Sequence, residues 1–508
     1  MRGSGGRDCH NGLVARLETA PPVRRRWQGM LAVGVAMSVL AGHVGARALA
    51  LTVTGGPAPL SARGDCLRDS ARGGAAVQDC AVAVSALEAP SALLVDAHGA
   101  DVYVASRDSD SVLALQRQRV GGALSPFPSP SPQACVQAPG GKPCGQHAPG
   151  LRGPDAMTLS SDGRQLYVGS LDGAAVTTLR RQSNGRLLAP RTHDGCLQGH
   201  ALSGSPRDDC GRHAEGLFGV TGLAASSDGR NVYAVSTGVD SPGDSILALT
   251  RNRRDGTLDA LRGPGGCVQS PGPARCARQA PGLRGPRAVI VTSDGRYVYV
   301  ASALSSSVTA FARDRRTGRL RALTGRGGCV VDGVSREPPE SACVSTAGGL
   351  GSARALALSP DGRELYVTSF DPGAITELTR DPVSGRLGAR PGSRSCLQAL
   401  ADATCRTEAP ALRGATGLAL SRGGAFLYVT ALGSNELVTV ARDRRHGDLS
   451  VVRTPTLSDA VVNGPGAVAL SPDGGYLYLA SPFDDEVQAL AVPSAQGARA
   501  TRSARRSP

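Results

Sequence analysis

The sequence predicts an all-β fold: a seven-bladed propeller of four-stranded antiparallel blades. Three observations predict it. A phrase returns along the chain, small residues stand at a fixed offset from it, and cysteines fall in the intervals between its copies. The phrase is "LSPDGRELYVTS" at 358–369, with near-copies "LSSDGRQLYVGS" (159–170), "VTSDGRYVYVAS" (291–302) and "LSPDGGYLYLAS" (470–481). Its tyrosine serves as a ruler: Tyr103, Tyr167, Tyr233, Tyr299, Tyr366, Tyr428 and Tyr478, at steps of 64, 66, 66, 67, 62 and 50 residues. Repeats of this size, made of short apolar runs and turns, mark a solenoid or a propeller rather than a string of separate domains.

Each unit reads as four strands. In the fifth, "ARALALS" (353–359) is the first, and an Asp-Gly turn follows, as in tight hairpins. "ELYVTS" (364–369) is the second strand and "AITELTRD" (374–381) the third. "SGRL" (384–387) turns into a short fourth. Eleven residues before each ruler tyrosine stand Ala92, Ala156, Gly222, Ala288, Ala355, Gly417 and Ala467. A column of Ala and Gly suits the innermost strands, which crowd round the axis of a propeller. The last unit has no clear fourth strand, while residues 49–66 resemble a third-plus-fourth-strand segment. The N-terminal segment is therefore expected to complete the last blade and close the ring.

Thirteen cysteines are present, and Cys9 precedes the repeats. The other twelve pair by proximity: Cys66 with Cys80, Cys135 with Cys144, Cys196 with Cys210, Cys267 with Cys276, Cys329 with Cys343 and Cys396 with Cys405, at separations alternating between 14 and 9. With no C-x-x-C spacing for zinc or haem, local disulfides in inter-blade loops outside the blade sheets are the expectation; scrambled pairs or free thiols are the alternatives.

The ends read differently. "RRRW" (24–27), the apolar run "MLAVGVAMSVLAG" (30–42) and A-x-A sites at 46–50 have the three parts of a secretory signal. The expected organisation is a signal peptide at 1–48, a propeller at 49–493 and a disordered basic tail at 494–508. The protein is then secreted, extracellular or periplasmic; an uncleaved N-terminal membrane anchor is the alternative. The formal net charge is +14, but only Lys142 of the 56 basic residues is a lysine, and aromatics are 3%. That excess reads as arginine-rich composition and offers no base-stacking platform, so nucleic acid is not an expected partner. No membrane contact is expected after signal cleavage, and a monomer is expected.

The stretch "LSPDGRELYVTSFDPGAITELTRDPVSGRL" (358–387) resembles the repeat of the lactonase-type seven-bladed β-propellers, which include phosphogluconolactonase and the carboxymuconate-lactonizing enzyme. The likeness runs over roughly residues 85–492. It implies the propeller fold and, as an activity, hydrolysis or isomerisation of a small lactone. Its motifs are strand and turn motifs, so no catalytic residue carries over by position.

Two rings of residues vary where the framework does not. Three past each second cysteine stand Ala83, His147, His213, Gln279, Thr346 and Glu408. Just before the small-residue column stand Ser91, Asp155, Thr221, Arg287, Arg354, Thr416 and Gly466. Arg287 and Arg354, on adjacent blades, suit a carboxylate. His147 and His213 are candidate general bases, and Asp155 or Glu408 a candidate orienting acid. The bland alternative is that the histidines are solvated and the arginines pair with neighbouring acids. No cofactor is expected and no metal, although acids gather in "SRDSDSV" (106–112) and "SPFDDEVQ" (481–488). The basic hairpins "DRRTG" (314–318) and "DRRHG" (443–447) are expected on the opposite face. The reading these residues support first is a secreted binding scaffold for a ligand or protein at the loop-bearing face. The alternative is a hydrolase or isomerase acting on a small anionic lactone at the tunnel mouth.

Overall fold

The computed structural model describes residues 57–60, 66–70, 80, 82–128, 134–199, 210–238, 243–273, 275–333, 343–390, 395–402, 405, 407–443, 448–452 and 463–493. The expected signal peptide and basic tail lie outside the described residues. Seven sheets follow one another, each of four to six strands and antiparallel apart from short rim strands. Blade 1 shows the plan. The inner strand is Pro90–Val95, the second Asp101–Ser106 and the third Ser111–Arg117. The inner strands of blades 2 to 7 are Pro154–Leu159, Gly219–Ala225, Pro286–Val291, Ala353–Leu358, Ala415–Leu420 and Ala467–Leu470.

Side chains on second strands are almost wholly buried, "DVYVAS" and "ELYVTS" at every position. A central strand packed on both faces needs apolar and β-branched residues throughout, not alternation. In blades 2, 3, 5 and 7 a Ser-x-Asp-Gly turn precedes the second strand and is held by its own side chains. Ser160 donates to Asp162 at 2.6 Å and accepts from the Gln165 N–H at 3.0 Å, while Gly163 takes φ +66°. The column of small residues lets neighbouring inner strands approach. A Cβ on Gly222 would stand 2.9 Å from the Arg287 carbonyl of the next blade.

The fourth strand differs from the expectation. Among the described residues it is split in two along the third strand in every blade but the sixth. In blade 1, Leu124–Pro126 pairs with Leu115–Arg117, and Cys135–Gln137 pairs with Ser111–Leu113 at the other end. A short rim strand, Gln146–His147, then runs parallel to the cysteine strand.

All six expected disulfides are present, with the expected partners. Cys66 is bonded to Cys80, Cys135 to Cys144 and Cys196 to Cys210. Cys267 is bonded to Cys276, Cys329 to Cys343 and Cys396 to Cys405. Their place, however, corrects the reading of the cysteine segments as loops outside the sheets. The first cysteine of each pair begins a strand of the blade. The second cysteines Cys144, Cys210, Cys276, Cys343 and Cys405 lie outside the strands, but they are buried rather than displayed at a loop tip. The reason is the reach of the bond. It holds the two Cα atoms 5.0–5.7 Å apart, so a partner fixed in the sheet draws Cys144 and its counterparts down onto the blade edge.

The segment after the second cysteine, "APGLRGP" after Cys144, then drives Ala148 and Leu151 into the core between blades 1 and 2. Ala214 and Leu217, Ala280 and Leu283, Ala347 and Leu350, and Ala409 and Leu412 do the same at the next four junctions. The half-strand from the hairpin is too short to cover the third strand, and the cysteine strand completes it. In blade 7 the third strand, Glu486–Ala491, pairs with Cys66–Asp69, placing Leu67 opposite Val487, and with Ala58–Pro59.

The ruler tyrosine is part of a clamp between blades. Tyr233 of blade 3 donates to the Gly318 carbonyl in the basic hairpin of blade 4 at 2.8 Å. Arg313, ending the third strand of blade 4, donates through Nε to the Tyr233 hydroxyl at 2.6 Å and through Nη2 to Asp228 of the blade 3 turn at 2.9 Å. Tyr167 with Gly256, Arg251 and Asp162 repeats it. Tyr478 with Gly122, Arg117 and Asp473 repeats it between blades 7 and 1. Burial pushes these phenols up, to about 12 for Tyr167 and Tyr478. Burial alone would raise Asp162, but hydrogen bonds from Ser160 and Arg251 bring it to about 2. The recurrence of S-P-D-G-R, L-Y-V and the arginine before the hairpin thus has a cause: each motif supplies one part of this clamp. The blade 5–6 junction is an exception, where among the described residues Tyr366 Oη and Arg442 Nε are unpartnered and Arg442 pairs with Glu364.

Candidate functional site

In blades 1 to 5 up-and-down strands place the turn before the second strand and the hairpin after the third, "DRRTG" among them, at the same end, while most of "DRRHG" (443–447) lies outside the described residues. The loops between second and third strands and the cysteine segments lie at the other. We call these the turn face and the cystine face. At the cystine face the inner strands carry a β-bulge at one position. The register of inner against second strand slips between Pro90 and Ala92, Pro154 and Ala156, Val220 and Gly222, Pro286 and Ala288, and Ala353 and Ala355. The skipped residues are Ser91, Asp155, Thr221, Arg287 and Arg354. In blade 6 the slip spans Thr416 and Gly417. A bulge leaves one residue outside the ladder and re-aims its side chain, which makes this ring of the variable positions a distinct structural class.

The uncharged members of the ring bind backbone. Ser91 donates to the Pro154 carbonyl and Thr221 to the Pro286 carbonyl, each at 2.6 Å and each on the next blade. The charged members do not. Asp155 pairs with Arg107 from the second-to-third-strand loop of blade 1. Arg287 and Arg354 make no side-chain hydrogen bond among the described residues, and the Nε of each is buried without a partner. The Arg354 guanidinium lies 5.0 Å from the ring centre of Phe370. Burial, then the like charge of Arg287, pulls Arg354 below the ordinary guanidinium range, while Asp371 and Asp155 oppose that shift. Blades 1, 2, 4 and 5 therefore bring Arg107, Asp155, Arg287, Arg354 and Asp371 within electrostatic range at one mouth of the tunnel. Among the described residues these two half-buried guanidiniums have no acceptor, an arrangement whose chemistry an oxyanion would suit.

The second variable ring is elsewhere. His147 and His213 are exposed residues on rim strands, opposite Gln137 and Gln198. Inner, second, third, cysteine and rim strands are four spacings apart in all, about 19 Å at about 4.8 Å each. Neither histidine is brought to the arginines. His147 Nδ1 lies 3.2 Å from its neighbouring Ala138 carbonyl. His213 lines a groove of about 690 Å³ between blades 2 and 3, beside Arg212, Glu215, Arg262 and Arg275. Glu408 is exposed and bridges to Gln398 on the rim of blade 5. Neither Asp155 nor Glu408 orients a histidine here: the first is taken by Arg107, and the second stands on the perimeter.

The acid-bearing loops also have structural uses. Asp110 accepts from the Gly153 N–H at 2.7 Å, and Asp485 accepts from the Ala89 N–H at 2.8 Å, each across a blade junction. Arg107 and Asp371 are the mouth residues that the sequence pattern did not single out by role. Both sit in the loop after a second strand, in "SRDSD" and "SFDPG". That shared loop position is the signal for them.

A family model described as "Lactonase, 7-bladed beta-propeller" matches residues 205–331. The chain folds as a seven-bladed propeller that resembles this family. Among solved structures, this propeller is similar to a Pseudomonas aeruginosa periplasmic gluconolactonase, PpgL. The identity is 22%, with 80% of this chain and 89% of that one covered, at a TM-score of 0.50. It is also similar to a putative 6-phosphogluconolactonase from Bacteroides fragilis, at 19% identity over 74% and 86% of the two chains and a TM-score of 0.50. Comparison with curated protein sequences returns no match. Six cystines suit the propeller to an oxidising compartment. Among the described residues no helix is long and apolar enough to cross a membrane.

Proposed function

We propose that this is an exported propeller that binds a small carboxylate-bearing molecule at the mouth on its cystine face. Arg287 and Arg354 hold the carboxylate, and the Arg107–Asp155 pair faces the ligand from the opposite side of the tunnel. The observation that carries the reading is the pair of buried, unbonded Nε groups on adjacent bulges. Desolvation of two arginines at neighbouring blades is hard to explain by blade packing, since Ser91 and Thr221 fill the same position with ordinary backbone hydrogen bonds. Export rests on the charged, apolar and A-x-A order of residues 24–50 and on the cystines.

A second reading is lactone hydrolysis at the same mouth: water adds to the ring carbonyl, the ring C–O bond breaks, and a hydroxy acid leaves. It is favoured by the likeness to a protein named as a periplasmic gluconolactonase and by Asp155 and Asp371 beside the arginines. The test is calorimetric titration with D-gluconate, together with D-glucono-δ-lactone hydrolysis followed by proton release. Arg287→Gln and Arg354→Gln are each expected to weaken gluconate binding at least tenfold, equivalent to about 1.4 kcal/mol, and higher salt should weaken it further. Unchanged binding in the double variant sinks the reading. Lactone turnover above the spontaneous rate, lost in the same variants, selects hydrolysis over binding alone.

A further inference from the structure

Blades 6 and 7 meet at a junction that combines three departures from the others. At the blade 5–6 junction the tyrosine–arginine bond of the clamp is also missing, Tyr366 Oη and Arg442 Nε being without partners among the described residues, but the arginine itself is kept and pairs with Glu364 instead.

The first is the clamp. Tyr428 is the ruler tyrosine of blade 6, buried at 3% exposure, yet its hydroxyl makes no hydrogen bond among the described residues. Burial is the one cause that moves its pKa, to about 12. The clamp arginine should end the third strand of blade 7, where Arg117 and Arg313 end theirs. Val492 stands there. The clamp acid should be third in the turn of blade 6, where Asp228 and Asp473 stand in theirs. The turn reads "SRGG", with Gly423 in that place and Arg422 before it. Arginine and acid are both replaced at one junction, so neither is left unpaired.

The second feature is the cystine. No cysteine pair lies between Tyr428 and Tyr478, so no disulfide anchors the segment leading into blade 7, whose residues 453–462 lie outside the described residues. The third is the apolar packing. Among the described residues the cluster here has six buried members: Ala419, Tyr428, Leu437, Leu477, Leu479 and Leu490. Clusters at the other junctions have 11 to 14.

The cystine-face side is fastened all the same. Thr430 donates to the Gly466 carbonyl at 3.1 Å, and the Gly464 N–H donates to Asn435 at 3.0 Å. We propose that the blade 6–7 junction is a hinge of the ring, opening on the turn face about its fastened cystine-face edge. Local opening runs at the least buried, least bonded units, and among the described residues this junction has the smallest apolar cluster and neither clamp arginine nor clamp acid. Opening would give the tunnel a second access, on the face away from the arginine mouth.

Thiol labelling tests it. Leu479→Cys places a buried thiol in the blade 6–7 junction, and Val300→Cys places one at the matching position between blades 3 and 4; the native side chains are 1% and 0% exposed. With N-ethylmaleimide under native conditions, Cys at 479 is expected to label at least tenfold faster. Installing the clamp with Gly423→Asp and Val492→Arg should slow that labelling at least threefold without changing position 300. Should the Leu479→Cys chain not fold, Leu490→Cys reports on the same junction. A separate arm uses Arg313→Val, which removes the clamp at blades 3–4 and should speed labelling at 300. Equal rates at 479 and 300 overturn the proposal, and so does an Arg313→Val arm that leaves labelling at 300 unchanged.

Discussion

Glu377 shows how one residue departs from the repeat and what that costs. Opposite the ruler tyrosine on each third strand stands Ala or Thr: Ala114, Thr178, Ala248, Ala310, Thr439 and Ala489. Blade 5 has Glu377 opposite Tyr366. Where Leu261 and Leu323 meet Ala248 and Ala310, blade 5 has Arg390, whose Nε lies 2.7 Å from Glu377 Oε1. Glu364, Arg442 and Tyr366 also face the site. Burial outweighs the attraction of Arg390, and the Glu377 carboxyl is raised from 4.5 to about 7. A raised carboxyl binds its proton more tightly in the fold than in the unfolded chain. Its contribution is therefore fully present below pH 4.5 and is lost as pH rises through the window to about 7. The double variant Glu377→Ala/Arg390→Leu restores the pair found in the neighbouring blade. It should be as stable as the parent at about pH 5 and more stable by about 1–4 kcal/mol at about pH 8. Urea unfolding at the two pH values measures this; an unchanged pH dependence would remove Glu377 as its source.

At the scale of the element, the cysteine segments carry more than decoration. Their first halves are sheet strands. Their second halves bury Cys144, Cys210, Cys276, Cys343 and Cys405 and then plug the blade junctions with Leu151, Leu217, Leu283, Leu350 and Leu412, each fully buried. Closing loops of 9 or 14 residues contributes roughly 2.5–3 kcal/mol each on the chain-entropy model. Reduction is expected to loosen the cysteine and rim strands and to unseat the plugs. Amide exchange should rise first in peptides covering 134–151, 210–217 and 343–350. Second strands, bonded on both sides within their blades, should keep their protection. Exchange that rises evenly over all strands would show that the cystines hold the ring as a whole.

At the scale of the molecule, the last blade is assembled from both ends of the described chain. Glu486–Ala491 has Cys66–Asp69 and Ala58–Pro59 as its outer neighbours. Asp69 accepts from the Leu87 N–H at 2.6 Å, tying the segment to the plug between blades 7 and 1. A chain starting at Ala86 loses both cysteines of one pair and exposes the edge of the third strand. An open apolar edge invites pairing with another copy. A lower thermal midpoint and a concentration-dependent shift toward oligomers on size-exclusion chromatography are expected. A midpoint equal to that of the longer chain would show that blade 7 stands without these strands.

Sequence alone determined the parts of this protein that repeat. Seven tyrosines, seven small residues and six cysteine pairs at regular steps specify seven blades, their strand order and their local disulfides, because periodicity survives without any knowledge of neighbours in space. The same pattern marked Asp155, Arg287 and Arg354 as variable positions. What it did not reveal was how far apart the two variable rings lie. Residues close along the chain, such as His147 and Pro154, belong to the rim of one blade and the axis of the next, so closeness in sequence gave no measure of reach. Tertiary structure decided the rest. It put the bulge under the arginines, split the fourth strand so that the cysteines entered the sheet, and joined tyrosine, arginine and aspartate from separate motifs into one clamp. These depend on side chains about a whole repeat apart in sequence meeting across a blade junction, and only packing of the whole ring brings them together.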